Sequence, residues 1–134
     1  MNTLTGNITS IKTSDVISLV KITVGDVIFT SIVIDTPETL DYLKIGNAIN
    51  LYFKETEVII SKTEDLKISL QNQIPCEIVS INLGLILSEL HLMFGAYKIT
   101  AIITSNACEQ LHLQENDKVI ALIKTNEVSI SPND

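Results

Sequence analysis

The chain contains no arginine: its nine basic residues are all lysine, set against sixteen acidic ones for a net charge of −7 over 134 residues. The lysines are scattered and form no basic patch, so the electrostatic footprint of a nucleic-acid binder is missing. Three Phe and three Tyr leave few platforms on which bases would stack. Cysteine is equally scarce. Cys76 and Cys108 stand far apart, without metal-ligand spacing and too few for a disulfide framework, so both are expected as buried free thiols. His91 and His112 have no acidic or cysteine partner at metal-ligand spacing and are expected as ordinary surface or packing residues. No apolar run reaches membrane-spanning length. The greasiest stretch, Ile81–Tyr97, is interrupted by Asn82, Ser88, Glu89 and His91. The start Met1–Asn7 lacks a basic region followed by an apolar core, so no secretory signal is read there. No nucleophile–base pair, metal cluster or phosphate loop is legible, which argues against an enzyme. A cytoplasmic location without nucleic-acid or membrane partners is the expectation.

What the chain does have is apolar surface to bury, with 46% hydrophobic residues. That content, present on both faces of strands such as Lys118–Lys124, leads us to expect a homo-oligomer. The chain also repeats itself. Shifted by about 70 residues, its halves align without a gap. Asn2–Ile11 lies over Asn72–Ile81, Gly25 over Gly95, Leu43 over Leu113, and "KETEVIIS" (Lys54–Ser61) over "KTNEVSIS" (Lys124–Ser131). Each repeat reads as five β-branched-rich strands separated by brief turns. In the first, strands are expected near Leu4–Lys12, Val16–Val24, Val27–Ile34, Ala48–Lys54 and Glu57–Ser61. In the second they fall near Ile74–Ile81, Leu85–Phe94, Tyr97–Thr104, Lys118–Lys124 and Val128–Ser131. A short helix is expected after each third strand. In the first repeat Thr36 would cap it, with Pro37 at the first helical position. In the second, Asn106 and Glu109 have capping-box spacing. The predicted fold is mainly β, two tandem OB-like five-stranded small barrels with one short helix each. The modules are placed at residues 1–62 and 67–134, joined by the charged linker Lys62–Lys67.

The stretch "AYKITAIITSNACEQLHLQENDKVIALIKTNEVSIS" resembles the Mop/TOBE module, and "ISLQNQIPCEIVSI" (Ile68–Ile81) resembles that module's opening. Two such modules in tandem are similar to the di-domain molbindins, cytoplasmic binders of molybdate and tungstate. The second repeat matches well and the first is degenerate. The resemblance implies storage or homeostasis of molybdate or tungstate as a bound oxyanion, in a homotrimer whose pockets form where subunits meet. It also leaves a different class open, an oligomeric regulatory or interaction module whose oxyanion sites have decayed.

A tetrahedral dianion only accepts hydrogen bonds, so its pocket calls for N–H groups, hydroxyls and a cation, with no inward carboxylate. Thr104, Ser105, Asn106 and Ala107 open the second repeat's helix, where free N–H groups are expected. Lys124 and Thr125 would add a cation and a hydroxyl, and Lys54 is the weaker twin of Lys124. By resemblance Ser69, Gln71 and Asn72 occupy the family's serine, arginine and asparagine positions. The departures have consequences. Gln71 replaces a charged bidentate donor, and Ala107 replaces a serine while keeping its N–H. The first repeat has no room before Met1-Asn2 for the serine and arginine. It also carries Asp35, Pro37 and Glu55 where a dianion would meet repulsion or a missing donor. Neither repeat is expected to use a metal cation as a direct ligand.

Overall fold

A computed structural model describes residues 1–133. Period-2 alternation sets its strands: Asn2, Leu4, Gly6 and Ile8 are buried while Thr3, Thr5, Asn7 and Thr9 are exposed. Ten strands follow in order: β1 (Asn2–Ser14), β2 (Ile17–Val24), β3 (Val27–Val33), β4 (Ala48–Phe53), β5 (Ile59–Ser61), β6 (Asn72–Asn82), β7 (Leu87–Phe94), β8 (Tyr97–Thr104), β9 (Lys118–Ile123) and β10 (Ser129–Pro132). They make two five-stranded sheets, ordered β10-β4-β1-β2-β3 and β5-β9-β6-β7-β8. The mainly β, OB-like class expected from the sequence is what forms.

The closing strands are exchanged. β10, at the end of the second repeat, pairs antiparallel with β4 of the first, Ser129 opposite Tyr52 and Pro132 opposite Ile49. β5, at the end of the first repeat, pairs with β9 of the second, Ile60 opposite Ala121. The compact units therefore differ from the sequence repeats. Among the described residues, one comprises Met1, Thr3–Phe53 and residues 124–133, the other Lys54–Ile123 together with Asn2.

Each unit has its own core. In the first, the Phe29 and Phe53 rings stack at 6.1 Å among buried Val20, Ile22, Leu43 and Leu51. In the second, Ile74, Ile78, Leu90, Leu92, Ile99 and Ile123 are buried. Each such side chain contributes about 1.5–3 kcal/mol by leaving water. β9 is buried on both faces, and the linker helps explain why. Gln73, opposite Leu122 on the outer face, donates through Nε2 to the carbonyls of Leu66 (3.1 Å) and Leu70 (2.9 Å), holding the linker there.

The repeat is visible in its irregularities. A bulge falls between Ile8 and Ser10 on β1 and between Ile78 and Ser80 on β6. The β2–β3 and β7–β8 hairpins turn at Gly25 and Gly95 with φ of 61° and 58°. A positive φ at the first turn position suits the twist of two-residue hairpins and selects glycine.

The helices differ from expectation. Only α1 (Ser105–Gln110), in the second repeat, is an α-helix among the described residues. Its N-cap is Thr104, not Asn106: Thr104 Oγ1 accepts from the Ala107 N–H at 3.0 Å, and Asn106 lies exposed inside the first turn. In the first repeat Thr36 and Pro37 open a turn rather than a helix. Thr39 N and Leu40 N reach the Thr36 carbonyl at 3.1 and 2.9 Å. The Asp35 carboxylate accepts from Thr36 N–H and the Thr39 hydroxyl. A carboxylate that bonds the local backbone, beside a proline without an N–H, competes with a helical ladder. Two 3-10 turns, Glu55–Glu57 and Thr125–Glu127, interrupt the run into β5 and β10; the sequence reading placed no helical turn there.

Candidate functional site

The candidate oxyanion residues divide between the two units because of the strand exchange. Thr104, Ser105, Asn106 and Ala107 lie in the second unit with Ser69, Gln71 and Asn72. Lys124 and Thr125 lie in the first. The lysine that shares a unit with the Thr104 cluster is Lys54, and its 3-10 turn, Glu55–Glu57, packs against β8, the strand that Thr104 ends. In the first unit the Lys124 turn packs against β3, close in sequence to Asp35. Lys124 and the Thr104 cluster, which fall in one sequence repeat, therefore belong to different compact units. A repeat pattern is blind to this division, because a strand's partner is set by tertiary pairing.

Around α1 several donors are already engaged. Ser105 Oγ donates to the Gly84 carbonyl at 2.7 Å and shares a 2.7 Å hydrogen bond with the Ser88 hydroxyl. Ser105 N–H donates to the Ile86 carbonyl at 2.8 Å. The Ala107 N–H is satisfied by the Thr104 cap. These bonds fix the start of α1 against the β6–β7 loop, leaving the Asn106 side chain exposed at that end. Ser69, Gln71, Lys54 and Lys124 are exposed as well. Lys54 N–H donates to Glu57 Oε1 at 2.9 Å, a capping bond that leaves its ammonium at the surface. Asn72 is buried at the start of β6, opposite Ile123. Asn2, its counterpart, uses its amide on the edge of β8, donating to the Thr100 carbonyl and accepting from Thr100 N–H, each at 2.8 Å.

Beside the Lys54 turn the second unit has a groove of about 430 Å³, lined largely by Val58, Ile60, Ile102, Ile103 and Leu111, with Thr56 and Thr104 as hydroxyls. Its walls are too apolar to hold a dianion unaided. Cys76 is buried in the core, and burial pushes its thiol up to about 12. Cys108, on α1, is also free and buried, its thiol likewise raised by desolvation. Among the described residues no group of three or more His, Cys, Asp or Glu is placed to hold a metal ion, and no helix is long and apolar enough to cross a membrane.

In sequence about half of the chain resembles known proteins, and in fold nearly all of it does. The TOBE domain family matches residues 68–130. Molybdenum-pterin-binding protein 3 of Clostridium pasteurianum is 33% identical over 66 residues, covering 48% of this chain and 97% of that protein. The solved structure of the cytoplasmic molybdate-binding protein ModG, in a form with molybdate bound, superposes with a TM-score of 0.91 at 21% identity, covering 98% of this chain and 96% of that one. A molybdate-binding protein from Sporomusa ovata aligns over 44% of this chain and 88% of its own, at 29% identity and a TM-score of 0.43. The ModG likeness fixes the two-unit fold, and the near-complete coverage of the Clostridium protein fixes the family. The chain belongs to the TOBE domain family.

Proposed function

We propose that this chain is a cytoplasmic oxyanion-binding protein that holds molybdate or tungstate for storage or homeostasis, and that it works as a homo-oligomer, a trimer of two-unit subunits. The observation that carries the reading is the 33% identity with molybdenum-pterin-binding protein 3 across 97% of that protein. The chemistry of the exposed residues supports it. Lys54 with Thr104 and Asn106 in one unit, and Lys124 with Thr125 in the other, supply cations and neutral donors suited to a dianion. They are spread over an open surface, so a second subunit is needed to desolvate them, and Ser69, Gln71 and Asn72 would contribute from the β6 entry. No catalytic role is read.

A second reading, an interaction module with decayed oxyanion sites, draws on Asp35, Glu55 and the engaged Ser105 and Ala107 donors. Calorimetric titration with molybdate and tungstate, alongside metal analysis of the purified protein, separates the two. Saturable tungstate binding that sulfate and phosphate fail to displace is expected. Phosphate keeps a proton near neutral pH, which a donor-only pocket cannot accept. Absence of any saturable binding by a folded oligomer would instead support the interaction module.

A further inference from the structure

Gln73 lies on β6 opposite Leu122 of β9 and turns its amide to the linker. Both protons of its Nε2 are used, one on the Leu66 carbonyl at 3.1 Å and the other on the Leu70 carbonyl at 2.9 Å. Two oxygens held on one nitrogen can be no further apart than these two bonds end to end. Four extended residues would separate them by roughly 13 Å. Residues 66–70 are therefore folded back on themselves, with Leu66 and Leu70 half-buried at the feet of the loop and Lys67, Ile68 and Ser69 exposed at its crest.

The start of the linker is fastened too. Lys62 Nζ donates to the His112 carbonyl at 3.3 Å and lies 3.6 Å from Asp117 Oδ2. No helix or strand runs through residues 62–71, so the shape of the loop rests on these bonds and on the two half-buried leucines. The first repeat supplies a contrast. Thr3 occupies the place of Gln73 there, and a single hydroxyl has one proton to give. The double clamp belongs to the second repeat, which is also the one that carries Ser69.

Resting on the reading of this chain as a binder of molybdate or tungstate, we propose that Gln73 is a positioning residue for the oxyanion. It does not touch the ligand but holds Ser69 at the crest of a preformed loop, so the hydroxyl is presented without ordering the chain on binding. Loosening the clamp restores that ordering cost, and fixing the backbone of even one residue corresponds to about tenfold in affinity.

Gln73→Met keeps the length of the side chain and removes both donors. In the full chain, the backbone order parameter of Ser69 from NMR relaxation should fall toward the flexible range in this variant, with β6 and β9 as rigid as before. Calorimetric titration should show tungstate affinity falling about tenfold in Gln73→Met and severalfold in Ser69→Ala. The double variant should lose less than the product of the two, because the placement of a hydroxyl no longer counts once the hydroxyl is gone. A merely structural role would give no loss, or losses that multiply. Full tungstate affinity in Gln73→Met, multiplying losses in the double variant, or an unchanged order parameter at Ser69 would overturn the positioning role and leave the oxyanion reading standing. A wild-type protein that binds no tungstate would overturn both.

Discussion

Thr104 shows how one side chain decides a local structure. Its hydroxyl satisfies the Ala107 N–H that α1 would otherwise leave open. Thr104→Ala should cost about 1 kcal/mol in urea denaturation, and Thr104→Ser should restore most of it. An unchanged unfolding midpoint in the alanine variant would mean the cap contributes nothing. Cys76 makes a pH prediction. Its thiol is buried and raised to about 12, so the folded state holds the proton more tightly than the unfolded one. The associated stability is complete below the ordinary thiol range near 9 and is lost as pH rises toward 12. The slope approaches about 1.4 kcal/mol per pH unit in that window. Cys76→Ala should flatten the alkaline limb between pH 9 and 10.5, and an identical slope in both proteins would contradict the assignment. The two lysines give a third test. If Lys54 serves the unit that carries Thr104, Lys54→Met should weaken tungstate binding there roughly tenfold to a hundredfold, the range for one charge-assisted bond. Lys124→Met should act on a different class of sites. Loss of every site in Lys124→Met with none lost in Lys54→Met would reverse the pairing.

At the scale of the element, the exchanged strands carry a consequence that cuts across the repeats. β10 belongs by sequence to the second repeat but borders β4 in the first unit. A chain ending at Lys124 should therefore lose amide-exchange protection first at Leu51 and Tyr52 of β4, which becomes an edge strand, while β6 and β9 stay protected. Earlier loss at β9 would show that the closing strands are not exchanged in solution. The strands expected from periodicity agree with the structure within a residue or two, because alternation of buried and exposed positions is a local property. The helices were less legible. Thr36-Pro37 has the composition of a helix start, yet the Asp35 carboxylate takes the Thr36 and Thr39 donors first. Cap selection at Thr104 rather than Asn106 likewise rests on which oxygen reaches an N–H, and spacing alone does not reveal that.

At the scale of the molecule, apolar side chains remain in water. Leu83, Leu85, Ile86 and Leu87 are exposed in sequence, Leu85 by 97%. Ser105 holds this loop in place through the Gly84 and Ile86 carbonyls, so it presents a fixed apolar surface. A monomer seldom leaves such a patch uncovered. Light scattering at micromolar concentration should find a trimer, and Leu85→Glu should shift it toward smaller species without changing the circular dichroism of the fold. A monodisperse wild-type monomer would refute the oligomer and remove the second subunit that the proposed oxyanion pockets need.

The number and order of the strands, the duplication, the hairpin glycines and the buried thiols were legible along the chain. Each of these follows from side-chain periodicity or backbone preference over a few neighbouring residues. Which strand closes which sheet, and with it which lysine shares a unit with Thr104, emerged from the fold alone. Lys54–Ser61 and Lys124–Ser131 are near copies of one another, so both closing segments present the same alternation and much the same hydrogen-bonding edge. Local chemistry therefore does not distinguish pairing within a repeat from pairing across repeats. That choice depends on where the preceding chain delivers each strand, a long-range constraint set by the path through the whole fold.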